Sequence, residues 1–279
     1  MKQPITVGHS PDPDDAFMFH GIASGKVDTA GFEIRQLLED IESLNRRCME
    51  NEIEVSAVSI HAYAHLTDNY ALMHCGASMG DGYGPRIVTR QPASPDELAG
   101  MTIAVPGTLT SAFLALQLYL GKPFEYRVVP FDRILEAVRD GEVGAGVVIH
   151  EGQLTYGDYD LSLIADLGVW WGEKTDGLPL PLGGNVVRKD LGEKTMRTLT
   201  RVIRDSIVYG LDNRKEALDY AIGFGRGLDV ELNDEFVGMY VNDLTRDYGE
   251  RGRRSIEQFL SEGAAAGLVP PIDDLKFVD

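Results

Sequence analysis

The stretch Gly141–Glu151 is small and apolar from Val143 to Ile149 and then delivers His150 and Glu151. Histidine is the side chain whose ordinary pKa lies nearest neutrality, so at such a point it can take up a proton and hand it on. A second histidine, His61, closes the similar run Val55–Ile60. Two turns add polar groups. Thr108, Thr110 and Ser111 precede an apolar helical segment, where hydroxyls and free helix amides suit a carboxylate or phosphate. Ser10-Pro11-Asp12-Pro13-Asp14-Asp15 precedes another, and there Ser and Asp are the ordinary caps of a helix start.

These groups need a frame, and the chain writes one twice. Ile5–His9 predicts a strand, Asp15 through Ile22 a helix, Phe32–Leu37 a strand, Asp40 to about Asn51 a capped helix, and Val55–His61 a strand. Met101–Val105, Ala112–Leu120, Phe124–Val128, a helix from Asp132, and Glu142–His150 repeat that order about 92 positions on. Two βαβαβ units of this kind form two right-handed parallel sheets whose strand ends and helix N-termini share one edge. If the two edges face each other, His61 and the Ser10–Asp15 turn meet His150 and the Thr108–Ser111 turn across a cleft.

Two crossings then join the lobes as a hinge, near 90–95 at Arg90-Gln91-Pro92-Ala93-Ser94-Pro95 and near 177–184 at Gly177–Gly184. The expected division is residues 1–90 with 182–279 in a larger lobe, strands near Leu72 and Ile87 included, and 91–181 in a smaller one. Leu161–Leu167 reads as a strand and Val169-Trp170-Trp171 as a helix start. Adjacent tryptophans cannot both enter one core, so one is expected to wall the cleft. From Leu191 onward the 3.6-residue period of Met196, Leu199, Val202, Ile203 and Ile207, and later of Phe236, Met239, Tyr240 and Leu244, predicts helices covering the first lobe. Chemistry from that tail would come only through Tyr240 or Asn242.

Composition narrows the function. A formal charge of −18 over 279 residues disfavours nucleic acid, whose phosphates need clustered Lys and Arg. Cys48 and Cys75 are too few for a disulfide framework or a zinc site. No window approaches eighteen apolar residues, so no membrane insertion is expected. With no apolar signal core near the start, a cytoplasmic protein is the expectation. A small-molecule ligand, no metal and no cofactor complete it, and a homodimer is compatible with it.

Two α/β lobes on a double hinge describe the type II periplasmic binding protein fold, which serves both carriers and enzymes. Six motifs carry a closer likeness: Ser10-Pro11-x-Pro13-x-Asp15-x-Phe17, Leu38-Glu39-Asp40-x-Glu42-x-Leu44-Asn45, Val105-Pro106-Gly107, Phe131-Asp132-Arg133-Ile134-Leu135, Ile149-His150-Glu151 with Thr155-Tyr156, and Gly177-Leu178-Pro179-Leu180-Pro181-Leu182-Gly183. Together they span most of residues 5–190, and the chain resembles the menaquinone-biosynthetic enzymes of this fold, the 1,4-dihydroxy-6-naphthoate synthases of the futalosine pathway. The resemblance implies a lyase that converts cyclic dehypoxanthinyl futalosine to 1,4-dihydroxy-6-naphthoate and dihydroxyacetone. His150 would be the general base, with Ser59, His61, Thr110, Ser111, Pro11, Asp14 and Asn45 holding the substrate. The chain departs from the family pattern at Asp12 and Asp14, where Cys and Asn often stand, and at His61. An ionised aspartate only accepts hydrogen bonds, which bears on any contact made by Asp14. Two other functions share the frame: a solute-binding protein without turnover, and the sibling chorismate dehydratase.

Overall fold

In the computed structural model, residues 3–225, 229–272 and 275–279 are described. In chain order the elements begin with β1 (Gln3–His9), α1 (Pro13–Ala23), β2 (Phe32–Leu38), α2 (Ile41–Met49), β3 (Val55–Ser59), α3 (Ile60–Tyr63), β4 (Tyr70–Met73), β5 (Ser78–Gly80) and β6 (Arg86–Thr89). The second half of the repeat follows as α4 (Pro95–Ala99), β7 (Thr102–Val105), α5 (Ser111–Leu120), β8 (Glu125–Val128), α6 (Ile134–Arg139), β9 (Ala145–Val148), α7 (Gly152–Thr155), β10 (Ser162–Asp166) and α8 (Leu167–Lys174). The chain closes with β11 (Leu180–Arg188), α9 (Glu193–Asp212), α10 (Arg214–Ala221), α11 (Val230–Tyr240), α12 (Asp243–Arg246), α13 (Gly249–Ala265) and β12 (Phe277–Val278).

One sheet has the order β12-β4-β11-β3-β1-β2, with β5 pairing β11, and the other β10-β6-β9-β7-β8. The repeat is visible in both. β1 lies parallel between β2 and β3, and β7 lies parallel between β8 and β9. Each copy then gains an antiparallel neighbour, β11 beside β3 and β6 beside β9. Strand β3 is buried at every position and reads as a continuous apolar or small run, as a parallel strand covered on both faces should.

The local chemistry follows the residues. Asp40 caps α2 by accepting from the Ser43 amide at 3.1 Å, so Leu44, Asn45 and Cys48 turn inward. Thr110 caps α5 at the Phe113 amide, 3.2 Å away, and Gly121 closes that helix at φ +61°, a conformation free of penalty for glycine. Helices α9, α10 and α11 pack on α1, where Phe17, Phe19, Val202, Ile203 and Ile207 form one core. Another core runs through both lobes and includes Leu44, Val58, Ile103, Val147 and Trp171. Burying such a side chain contributes roughly 1.5–3 kcal/mol.

Several expectations change here. Strand β6 pairs with β9 and β10 in the second sheet, so the first crossing precedes Arg86 and does not lie at 90–95. The proline-rich segment instead caps α4, with Ser94 and Glu97 bonded reciprocally. Strand β3 stops at Ser59 and β9 at Val148, so neither His61 nor His150 is a strand residue. Trp171 is fully buried, donating to the Ser255 hydroxyl at 3.2 Å, and Trp170 packs edge-on against Tyr119; neither walls the cavity. Helix α13 packs on α3 and α5 as well as β11, so the tail covers more than the outer face of one lobe. The short β12, parallel to β4, was not anticipated.

Candidate active site

Between the two sheets lies a cavity of about 120 Å³. Its walls are largely apolar, from Met18, Ile41, Val58, Ile149, Leu182 and Phe236, which suits a flat hydrophobic ring. Polar groups gather in two clusters, here called the first and second ends, each supplied by a β-to-α turn of the repeat.

At the first end stand Ser10, Asp14, Asp15 and His150. After β9 the chain turns at His150, whose φ of +55° lies in the left-handed region that costs a side-chain-bearing residue about 1–2 kcal/mol. The turn aims the imidazole back at the first lobe, where Nδ1 lies 3.2 Å from Asp12 Oδ2. The ring also meets Phe131 edge-on, centroids 4.6 Å apart. The same Asp12 Oδ2 accepts a hydrogen bond from the Ser10 hydroxyl at 2.6 Å. A carboxylate against Nδ1 holds that hydrogen in place and leaves Nε2 with its lone pair, the arrangement a general base needs.

The aspartates of this turn therefore do something other than cap. Asp12 occupies the N-cap position of α1 without a side-chain cap bond. Asp15 Oδ2 accepts from the Ser10 amide at 2.7 Å, folding the turn onto itself. Asp14 lines the cavity, with the Ser78 hydroxyl 3.5 Å from its Oδ2. Burial, then the charges of Asp15 and Asp12, raise the Asp14 carboxyl well above the ordinary range. Burial raises Asp15 too, against the opposing pull of His9.

At the second end, Thr110, Ser111 and Ala112 open α5. Their hydroxyls are already engaged. Thr110 Oγ1 donates to the Gly107 carbonyl at 2.9 Å, and Ser111 Oγ donates to the Leu182 carbonyl at 2.5 Å while accepting from the His61 amide at 3.1 Å. What this turn offers a ligand is the Ser111 and Ala112 amides, which the first turn of a helix leaves without intrahelical acceptors. Helix α2 braces it from the first lobe: Glu42 Oε2 accepts from the Leu109 amide at 3.1 Å. A side chain at Gly107 would run into that same Glu42 carboxylate and push it off the turn it braces.

Ser59, at the end of β3, lines the cavity as well. Asn45 grips it twice, accepting from the Ser59 amide at 2.9 Å and donating to Ser59 Oγ at 3.1 Å. Asn45 thus stands behind the wall and sets the hydroxyl. His61 is also behind the wall, in the first turn of α3, with Nδ1 donating to the Thr110 carbonyl at 3.0 Å. Burial lowers its pKa to about 4, so it is neutral and supports the second turn. Pro11 shapes the first turn but is not among the lining residues.

Two participants had no local signal in the sequence as functional groups, Asp12 as partner of His150 and Gln153; Tyr240, one of the two tail residues expected to bring chemistry, joins them. Tyr240 and Gln153 both line the cavity and lie 2.9 Å apart through the phenol oxygen and amide oxygen. With the amide turned so that its nitrogen donates to the Gly84 carbonyl at 2.6 Å, its oxygen accepts from Tyr240 at 2.8 Å and from the His150 amide at 3.3 Å. A hydrogen bond to His150 from this position helps hold its left-handed backbone. Asn242 only caps α12. No group of three or more metal-ligating side chains occurs among the described residues, and none of their helices is long and apolar enough to cross a membrane. Cys48 and Cys75 are separate, buried thiols.

The comparisons with known proteins fit this geometry. The family described as menaquinone biosynthesis matches residues 5–265. The 1,4-dihydroxy-6-naphthoate synthase of Thermus thermophilus is 40% identical over 274 residues, 98% of this chain and 99% of that protein. A crystal structure of a protein from Archaeoglobus fulgidus superposes with TM-score 0.90 at 47% identity, over 95% of this chain and 98% of that one. The alkanesulfonate-binding protein of Xanthomonas axonopodis pv. citri shares the fold, with TM-score 0.70 at 13% identity over 96% of this chain and 94% of that one.

Proposed function

Since the chain belongs to the menaquinone biosynthesis family, we propose that it forms 1,4-dihydroxy-6-naphthoate from cyclic dehypoxanthinyl futalosine, releasing dihydroxyacetone. The observation that carries this reading is the Asp12–His150 pair at an apolar cavity that the N-terminus of α5 also lines. The Ser111 and Ala112 amides take the substrate carboxylate, the apolar walls take its rings, and the sugar-derived part reaches the histidine. Nε2 of His150 removes a proton adjacent to a ketone; the electrons expel the three-carbon fragment, and aromatisation of the new ring drives the cleavage. Asp12 stabilises the imidazolium that forms. Ser59 holds a substrate oxygen with the hydroxyl that Asn45 orients. Closure of the lobes about the crossings keeps water from the carbanion.

Incubating the purified protein with cyclic dehypoxanthinyl futalosine should give the naphthoate by mass. His150→Ala should abolish that product while leaving the circular dichroism spectrum unchanged. Undiminished turnover by that variant removes His150 as the base. Loss of water from supplied chorismate, or tight binding of a nutrient without turnover, would replace the reading with one of its alternatives.

A further inference from the structure

The turn before α1 packs three carboxyl groups, Asp12, Asp14 and Asp15, into a region where none is more than 9% exposed. Three adjacent buried anions repel strongly unless each is paired or one keeps its proton. The available donors are distributed unequally. Asp12 takes the Ser10 hydroxyl and His150 Nδ1. Asp15 takes the Ser10 amide and feels His9. Asp14 has the Ser78 hydroxyl at the limit of hydrogen-bond distance and the lesser, opposing pull of the Asp15 and Asp14 amides, while its buried Oδ1 makes no hydrogen bond among the described residues. From the tail, Tyr240 faces the same carboxyl, and burial keeps that phenol neutral.

We propose that Asp14 is a substrate-positioning group that donates a hydrogen bond, as a carboxylic acid, to an uncharged carbonyl or hydroxyl oxygen of the substrate beside His150. This rests on the reaction proposed above and adds a direction to it. The cavity is polarised: the α5 end accepts an anion, and the Asp14 end rejects one and takes an acceptor oxygen. A substrate with one carboxylate and a keto or hydroxylated fragment can enter only one way round. The oxygen that gains charge when His150 removes the proton then meets a donor already in place.

The test compares Asp14→Asn, which keeps a donor and cannot titrate, with Asp14→Ala, which removes it. Asp14→Ala should lower kcat by about 100-fold, as loss of one donor to a developing oxyanion does, whereas Asp14→Asn should remain within about tenfold of wild type. The wild-type rate should fall at high pH as Asp14 ionises, and that alkaline limb should be missing from Asp14→Asn. Equal loss in both variants, or none in either, overturns the proposal. Carbon-13 titration of the wild-type carboxyl decides independently of turnover. Ionisation of Asp14 in the ordinary carboxylate range overturns it even if the naphthoate forms. A raised titration in a protein that makes no naphthoate would instead strike at the reaction.

Discussion

The turns 10–13 and 106–110 occupy the same place in the two copies of the repeat, each leading from a central strand into the helix beside it. In the second, Thr110 caps its own helix, both hydroxyls are bound to backbone, and the exposed chemistry is the positive end of α5. In the first, Asp12 stands at the cap position but turns away to His150, and the exposed chemistry is acidic. On the proposed function, one topology therefore yields an anion seat and an anion-refusing end, according to whether the cap residue turns its oxygen to its own helix or to the other lobe. The difference teaches that the repeat supplies placement, and a few side chains at the turn supply polarity.

The sharpest way to break this contrast is to remove the base itself. His150→Ala should cost on the order of 10³-fold or more in kcat, measured by naphthoate release. Asp12→Asn follows. The asparagine amide would donate to Nδ1, move the imidazole hydrogen to Nε2, and leave the base with no lone pair facing substrate; a loss of about 10³-fold in kcat with KM little changed is expected. A variant that retained full kcat would show that Asp12 is a structural turn residue after all.

Much of this frame was legible from periodicity, because a βαβαβ unit states its order in short apolar runs and capped helices that are local in sequence. Long-range pairing is not local, which is why Arg86–Thr89 looked like a first-lobe strand and became the neighbour of β9. Ser59 shows the limit of a pattern: the apolar run through Ile60 and His61 continues, but a serine can start a helix as readily as extend a strand, and α3 begins there. Asp12 was read as a cap because Ser-Pro-Asp before a helix is what a cap looks like; its partner is 138 positions away. Tyr240 sits on a stripe whose ordinary meaning is core packing, and its hydroxyl reaches the cavity only through the course of α11.

The two ends should also respond to pH with opposite sign. His61, behind the second turn, has its pKa lowered by burial to about 4 from an ordinary 6.5, so the unfolded chain binds its proton more tightly than the folded one. Its contribution is intact above about pH 6.5 and is lost as the pH falls toward 4, up to about 3 kcal/mol in all. Asp14 is shifted upward, so stability is greatest below the ordinary carboxylate range and falls as pH rises through its folded value. Denaturant melts across pH should show His61→Phe flattening the loss of stability on the acid side and Asp14→Asn flattening the loss of stability as pH rises above the carboxylate range; the reverse assignment would undo the comparison.

The smallest effect belongs to Asn45, which touches both ends of the second turn's support without lining the cavity. Its amide accepts from the Ser59 amide and donates to Ser59 Oγ, and it is wholly buried. Asn45→Ala leaves a buried backbone amide without its acceptor, at a cost of about 1–3 kcal/mol. It also frees the Ser59 hydroxyl to rotate. On the proposed function that hydroxyl holds ground state and transition state alike, so KM should rise several-fold while kcat changes little, the opposite split from Asp12→Asn. A fall in kcat at constant KM would mean that Ser59 acts on the reacting oxygen, and the acid end would then no longer be alone in meeting the developing charge.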